Sequence, residues 1–372
     1  MGGFEGADHI NLHGVPLDMV QVTGHAAQWE ADYALARSVG MHTVRESVGW
    51  RICAPVAARQ MEFSRLDTAA DAAQRQGMQV IWSLMHYGMP PDVRVTDADF
   101  ADRFADFAAA VARRLRGRSA AAPVYNPINE IGFLAWALAT QSTLGGECSE
   151  RDGYVVKMAL VQAAVRGMQA MRAEDPSARF MHIEPLIHVV APHGQPELAP
   201  AASDFCAYQW QVWDMLLGRS EPQLGGAAAM VDCIGVNHYH DAQWEIGTGE
   251  RLKWEENDGR RRPFAQLLQQ AWARYGIPLV VAETSHCADK RAAWLNEIAA
   301  QTAAAMASGV GVEGLCLYPL VDRPGWNELA HWHRSGLWDA IDTGPETAAP
   351  WARRLASDYA RALGHWQRQL PG

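Results

Sequence analysis

An excess of positive charge is the first thing this 372-residue sequence lacks: 32 lysines and arginines face 42 aspartates and glutamates, a formal net charge of −10. Coats for nucleic acid and binders of anionic membranes need basic patches to neutralise phosphate, so neither partner is expected. Lysine is nearly absent, with Lys157, Lys253 and Lys290 the only three, but arginine takes its place and nothing functional follows. No stretch approaches the ~18 unbroken apolar residues of a membrane-crossing helix. The six cysteines (Cys53, Cys148, Cys206, Cys233, Cys287 and Cys316) are scattered, with no Cys-x-x-Cys pair. That argues against a disulfide scaffold or a zinc knuckle, and for reduced thiols in a cytoplasmic protein. From Met1 to Gly14 there is neither a basic nor an apolar leader region, so no signal peptide is expected. Linkers rich in Gly, Ser or Pro, internal repeats and charge blocks are also missing, and one domain over residues 1–372 is expected.

What is present is core. At 49% hydrophobic and 20% charged residues, the chain can bury a large interior, which excludes general disorder. An eightfold α/β barrel runs to roughly 250 residues, so this length fits one barrel with generous loops. Fifteen tryptophans exceed what a core requires. Part of them fill space between strands and helices; those beside Gly, Pro, Asn or His offer flat faces that stack on sugars or bases.

Short β-rich runs alternate with longer helical patterns. Strands are expected at Met19 to Thr23, His42 to Glu46, Val80 to Leu84, Val124 to Ile128, Arg179 to Ile183, Val231 to Val236, Ile277 to Ala282 and Gly314 to Tyr318. Helices are expected between them, for example over Phe100 to Leu115 and Tyr154 to Met171, with a last one from about Pro350 to Leu363. Near-continuous apolar strands, each followed by a helix, are the pattern of a parallel closed sheet. A doubly wound open sheet usually carries Gly-x-Gly-x-x-Gly after its first strand, and Val22-Thr23-Gly24-His25 does not supply it. The expected fold is therefore α/β, a single (β/α)8 TIM barrel. Its long loops follow strand five (Glu184 to Ala202), strand six (His240 to Arg262) and strand eight (Pro319 to Pro345).

Barrel active sites are built at the carboxyl ends of the strands. The residues there are Arg45 and Glu46, His86, Asn129 and Glu130, His182 and Glu184, Asn237 and Tyr239, Glu283, and Tyr318. Glu130 and Glu283 each follow directly on an apolar run, near low-dielectric walls that raise a carboxyl pKa. A single such glutamate is as readily a helix cap or a salt-bridge partner. Two of them facing each other at ~5–5.5 Å could cleave a glycosidic bond, one protonating its oxygen while the other attacks the anomeric carbon. Asn129 can donate to a substrate hydroxyl, Tyr239 to Glu283, and Arg45 can hold Glu283 ionised.

These residues resemble glycoside hydrolase family 1, the retaining β-glycosidases of a wider clan of (β/α)8 enzymes. Asn126-Pro-Ile-Asn-Glu130 is similar to its Thr-x-Asn-Glu-Pro motif, and Asp232-Cys-Ile-Gly-Val-Asn-His-Tyr239 to its Asp-Phe-Ile-Gly-Val-Asn-Tyr-Tyr. Val44-Arg-Glu-Ser-Val-Gly-Trp50-Arg-Ile resembles Tyr-Arg-Phe-Ser-Ile-Ser-Trp-Ser-Arg-Ile, and His86-Tyr-Gly-Met-Pro90 resembles His-Trp-Asp-Leu-Pro. Leu317-Tyr-Pro-Leu-Val-Asp-Arg-Pro-Gly-Trp326, followed by Ser335-Gly-Leu, parallels the strand-eight Trp-Ser-Leu-Leu-Asp-Asn-Phe-Glu-Trp and its Phe-Gly-Leu. The likeness runs from about residue 18 to 340. It implies a retaining glycoside hydrolase acting on a small-molecule or oligosaccharide glycoside, without a cofactor. Glu130 would be the general acid/base and Glu283 the nucleophile. Asn129, His86 and Trp326 would hold the sugar, and Arg45, Asn237 and Tyr239 would orient the nucleophile.

The sequence departs from that pattern in three places. Ile131 replaces the proline after the acid/base, and Glu283-Thr-Ser replaces Glu-Asn-Gly. Gly325 stands where the family has a sugar-gripping glutamate, with Asn327 or Glu328 as nearby substitutes. A carbohydrate-binding barrel that has lost catalysis is therefore an alternative, and a glycosyl-transferring variant, with the tryptophans forming an acceptor site, is another. A metal-dependent barrel hydrolase is a further one, from the pairs His238/His240 and His331/His333. Strand alternation, however, sets His238 and His240 on the face opposite Asn237 and Tyr239.

Overall fold

Eight short parallel strands close on themselves in this protein. The computed structural model describes residues 1–119, 121–145, 148–343 and 351–370. The barrel strands are β1 (Gly2–Gly3), β2 (Thr43–Ser47), β3 (Gln79–Met85), β4 (Val124–Ile128), β5 (Arg179–Pro185), β6 (Cys233–Asn237), β7 (Leu279–Thr284) and β8 (Val312–Leu317). Each pairs in parallel with its sequence neighbours, and β1 closes the ring on β8 through Gly2 and Leu317. With helices around it, this is the (β/α)8 TIM barrel expected.

Two apolar layers hold it together. Ile81, Met181, Ile183, Cys233, Val280 and Ala282 fill the inside of the barrel. A larger cluster fills the space between strands and helices. The helix Phe100–Leu115 places Phe100, Phe104, Phe107, Ala108 and Val111 on one buried face, at the three- and four-residue spacing that such a stripe requires. It packs on the helix Gly153–Glu174, where Gly167 lets the two approach: a Cβ there would lie 2.8 Å from the Phe104 ring. Six of the fifteen tryptophans (Trp29, Trp50, Trp82, Trp213, Trp294 and Trp338) are buried here.

The ends of the chain depart from expectation. Met19–Val22 is not the first strand but a helical turn, begun by Asp18, whose side chain accepts from the Gln21 amide. The first strand is the glycine pair at 2–3, which carries no apolar pattern to read. Glycine is needed there by packing, since a Cβ on Gly2 or Gly3 would come within 2.5 Å of Leu320 or of the Tyr318 ring. The last helix starts late, at Ser357–Gln367, because Trp351–Leu355 instead forms an antiparallel ribbon with Trp338–Asp342. Pro345 and Pro350, the expected ends of the last loop and start of that helix, lie outside the described residues. The loops after β5 and β6 carry a parallel pair of their own, His188–Val190 with Gln243–Glu245. The loop after β8 carries the ribbon Arg323–Pro324 with Trp332–His333. Among the described residues no helix is long and apolar enough to cross a membrane, and the six cysteines are free thiols.

One buried polar knot ties the terminal ribbon to the barrel. Glu46 points out of β2, not into the pocket, and meets His25 Nε2 at 3.0 Å. His25 Nδ1 meets Asp32 at 2.7 Å, and Arg353 of the ribbon clasps Asp32 with bonds of 2.8 and 2.9 Å. Removing one member of a buried charged set leaves the rest uncompensated, at a cost of about 3–5 kcal/mol. Arg353→Ala is therefore expected to lower unfolding stability by about 3 kcal/mol or more in urea titration. A change within about 0.5 kcal/mol, as at an ordinary surface site, would contradict it.

Candidate active site

Arg45 is the hub of the carboxyl end of the barrel. Its side chain projects inward from β2 and is only 2% exposed. One guanidinium nitrogen donates to Glu283 Oε1 at 2.8 Å and to the Ala282 carbonyl at 3.0 Å. The other donates to Asn129 Oδ1 at 3.1 Å and Ser83 Oγ at 3.3 Å, and the charge lies 5.1 Å from the centre of the Tyr318 ring. So one cation binds β3, β4 and β7 together at the level of the pocket.

Glu283, near the end of β7, is paired in register with Asn237 of β6. Its second oxygen accepts from the Tyr239 hydroxyl at 2.7 Å. Burial, and then the negative charge of Glu283, push the Tyr239 phenol well above its ordinary range, so it stays protonated and donates. Glu283 is thereby clamped between a fixed cation and a fixed hydroxyl.

Glu130 is held differently. It follows β4 directly, with φ of +46°, and opens the helix Ile131–Thr140. This left-handed backbone is costly for a residue with a Cβ, on the order of 1–3 kcal/mol, and such strain clusters at functional sites. It swings the carboxylate to Asn237 Nδ2 at 2.8 Å and to the Tyr87 hydroxyl at 2.5 Å. Both donors are neutral. Removal from water, and then the charge of Glu283, push the Glu130 carboxyl up to about 7, while the bonds from Tyr87 and Asn237 pull it down.

Asn129 connects the two halves. Its oxygen accepts from Arg45 and from Asn126 Nδ2 at 3.2 Å, and its amide donates to Tyr87 at 3.2 Å and toward His86 Nε2 at 3.3 Å. Burial, and then the Arg45 charge, hold His86 well below its ordinary range, so the ring is neutral. Trp326 closes one wall, its half-buried ring set edge-on to His9 at 4.9 Å and to Tyr87 at 5.7 Å. All eight residues singled out in the sequence (Arg45, His86, Asn129, Glu130, Asn237, Tyr239, Glu283 and Trp326) thus meet at one end of the barrel, as does Tyr318, whose hydroxyl meets Glu5 at 3.4 Å.

Other strand-end candidates face elsewhere. His182 points through the barrel wall to Met168 Sδ at 3.1 Å. His238 faces the Leu186 carbonyl at 2.7 Å and stacks on Phe264, whereas His240 stacks on His286 at 3.8 Å. Both lie opposite Asn237 and Tyr239, as alternation requires. Among the described residues no group of three or more His, Cys, Asp or Glu side chains is arranged to hold a metal ion. Of the two proposed substitutes at Gly325, one is already engaged. Asn327 spends its amide on the Leu12 N–H and the Thr143 carbonyl, and Glu328 is exposed.

Several pocket residues escaped the sequence reading. Tyr87 sits inside the motif read for His86. Glu5 pairs with Arg323 at 2.9 Å, and His9 is buried with both ring nitrogens unpartnered. Both were lost because the first strand was placed at Met19; an acid following two glycines at the start of the chain was the signal.

No protein-family model matches the sequence, and no curated protein does. Solved structures do match in fold. The family 1 β-glucosidase from Thermotoga maritima superposes with a TM-score of 0.76 at 14% identity, over 94% of this chain and 88% of that one. The AHE enzyme from Alicyclobacillus herbarius matches with a TM-score of 0.75 at 15% identity, over 99% and 96%. The β-glycosidase BGL167 matches with a TM-score of 0.70 at 18% identity, over 94% and 88%. The chain thus shares the barrel fold of these proteins; at these identities the likeness is one of fold.

Tyr87→Phe removes a donor that favours the ionised Glu130 carboxylate. The Glu130 midpoint is then expected to rise above about 7 in a 13C titration of the glutamate carboxyls. A fall would mean that the phenol does not stabilise the charge.

Proposed function

We propose that this protein is a retaining β-glycosidase that cleaves a β-linked glycoside through a covalent glycosyl-enzyme intermediate. The observation that carries this reading is the unequal treatment of two neighbouring carboxylates. Glu283 is clamped by Arg45 and Tyr239, the surroundings of an ionised nucleophile. Glu130 has only neutral donors and a carboxyl pushed up to about 7, the surroundings of an acid. In the first step Glu283 attacks the anomeric carbon as Glu130 gives its proton to the departing oxygen, leaving a glycosyl ester on Glu283. In the second, Glu130, now a carboxylate, takes a proton from water, whose oxygen attacks the same carbon and frees Glu283. Asn129, His86 and Trp326 hold the sugar, while Asn237 orients Glu130 and Arg45 and Tyr239 orient Glu283.

The fold shared with the Thermotoga maritima enzyme, solved with deoxynojirimycin and with glucoimidazole, supports a sugar-like ligand. The identity of the sugar is set apart from the family pattern by Gly325: without that glutamate's grip, discrimination between sugar hydroxyls falls. A sugar-binding barrel without turnover is the second reading, favoured by the same Gly325. Nitrophenyl β-glycosides of several sugars separate the two readings. A cytoplasmic setting, expected from the scattered cysteines, belongs to this proposal.

Glu283→Ala is expected to abolish turnover and to regain it with azide, giving a product of inverted configuration. Rescue with retained configuration would rule out Glu283 as nucleophile. Glu130→Ala is expected to spare glycosides with good leaving groups and to lose about 100-fold or more on poor ones. Equal losses on both would remove the acid role. Because the raised pKa keeps Glu130 protonated up to about pH 7, kcat/KM is expected to fall as pH rises through about 7. A rate that stays flat to pH 9 would contradict it.

A further inference from the structure

Glu184, the next-to-last residue of β5, is only 3% exposed and takes no part in the chemistry above. The first N–H groups of a helix have no partner within it, and the residue at its cap position ordinarily supplies a side-chain oxygen. Glu130 occupies that position on the helix Ile131–Thr140 but makes no such bond, since its oxygens face Asn237 and Tyr87. Glu184 does so from the neighbouring strand. Its Oε2 accepts the Gly132 N–H at 2.9 Å, and the carboxylate also draws on the Ile131 N–H.

Gly132 is shaped for this contact. A Cβ there would lie 2.7 Å from Glu184 Oε2, so any other residue displaces the carboxylate. Alanine would otherwise be the better helix former. Behind Glu184 lies the buried Lys157, whose ammonium donates to Gln211 at 2.6 Å and feels the Glu184 charge. The charged groups facing Glu184, whose carboxyl is pushed up to about 8 by burial, are thus Lys157 and Glu130, and the titratable groups facing Glu130 are Tyr87, Glu283, Arg45 and Glu184 itself.

We propose that Glu184 is a positioning residue for Glu130: by capping the helix in its place, Glu184 fixes the left-handed backbone there and leaves the Glu130 carboxylate free for the pocket. The inference rests on the acid role assigned above.

Wild-type protein, E184Q, E184A and G132A are compared on aryl β-glycosides that run from good to poor leaving groups. E184A and G132A are expected to lose about tenfold or more in kcat/KM on the poorest leaving group and less than about threefold on the best. E184Q, which keeps the acceptor oxygen, is expected to recover most of that loss. Equal losses along the series, or a loss in E184Q as large as in E184A, overturn the proposal. If E184A fails to fold, G132A carries the same comparison. A 13C titration of the carboxyls needs no turnover: the Glu130 midpoint should move in G132A and stay near the wild-type value in E184Q, and an unmoved midpoint in G132A overturns the proposal. If the wild-type protein cleaves no glycoside, the acid role falls, while the titration still decides whether Glu184 holds Glu130.

Discussion

The pocket depends on the burial of one guanidinium. An arginine 2% exposed inside a barrel is tolerable only if its charge is balanced and most of its donors are met. Arg45 pairs with Glu283 and places its two terminal nitrogens on Glu283, the Ala282 carbonyl, Ser83 and Asn129, leaving only Nε without a partner among the described residues. These partners lie on or directly after three strands of the barrel wall, β3, β4 and β7, so satisfying this single charge also sets where the strand ends stand relative to one another. Among the described residues Glu283 is the carboxylate to which Arg45 donates, and this bond sets it apart from the other pocket glutamate.

The second glutamate draws its character from contrast. Glu130 lies within reach of the Glu283 charge but receives only a phenol and an amide, so its proton is harder to remove. The difference between the two carboxyls is not in the side chains, which are identical, but in what donates to them. The strained backbone at Glu130 is part of the same arrangement, because it turns the carboxylate toward Asn237 and away from the helix that the residue would otherwise cap.

Much of this was legible in the sequence. Seven of the eight barrel strands fall within about two residues of the apolar runs read for them, since a fully buried parallel strand has little choice of composition. The carboxyl ends of those strands named Arg45, Glu130, Tyr239 and Glu283. The pair of glycines that forms β1 could not be read, because its reason is the approach of Leu320 and Tyr318, more than 300 residues away in sequence. Glu5 and His9 went with it. Glu46 and His182 were misdirected because a residue at a strand end gives no sign of which side of the wall it faces until the neighbouring helices are in place.

The amino-acid order alone therefore determined the class of fold and the set of groups available for chemistry, because apolar periodicity and strand-end position are local properties. Tertiary structure alone decided which carboxylate is bonded to a cation and which to neutral donors, and which glutamate caps the helix after β4. Those are properties of charges and hydrogen bonds between strands far apart in the chain, and they exist only once the ring has closed.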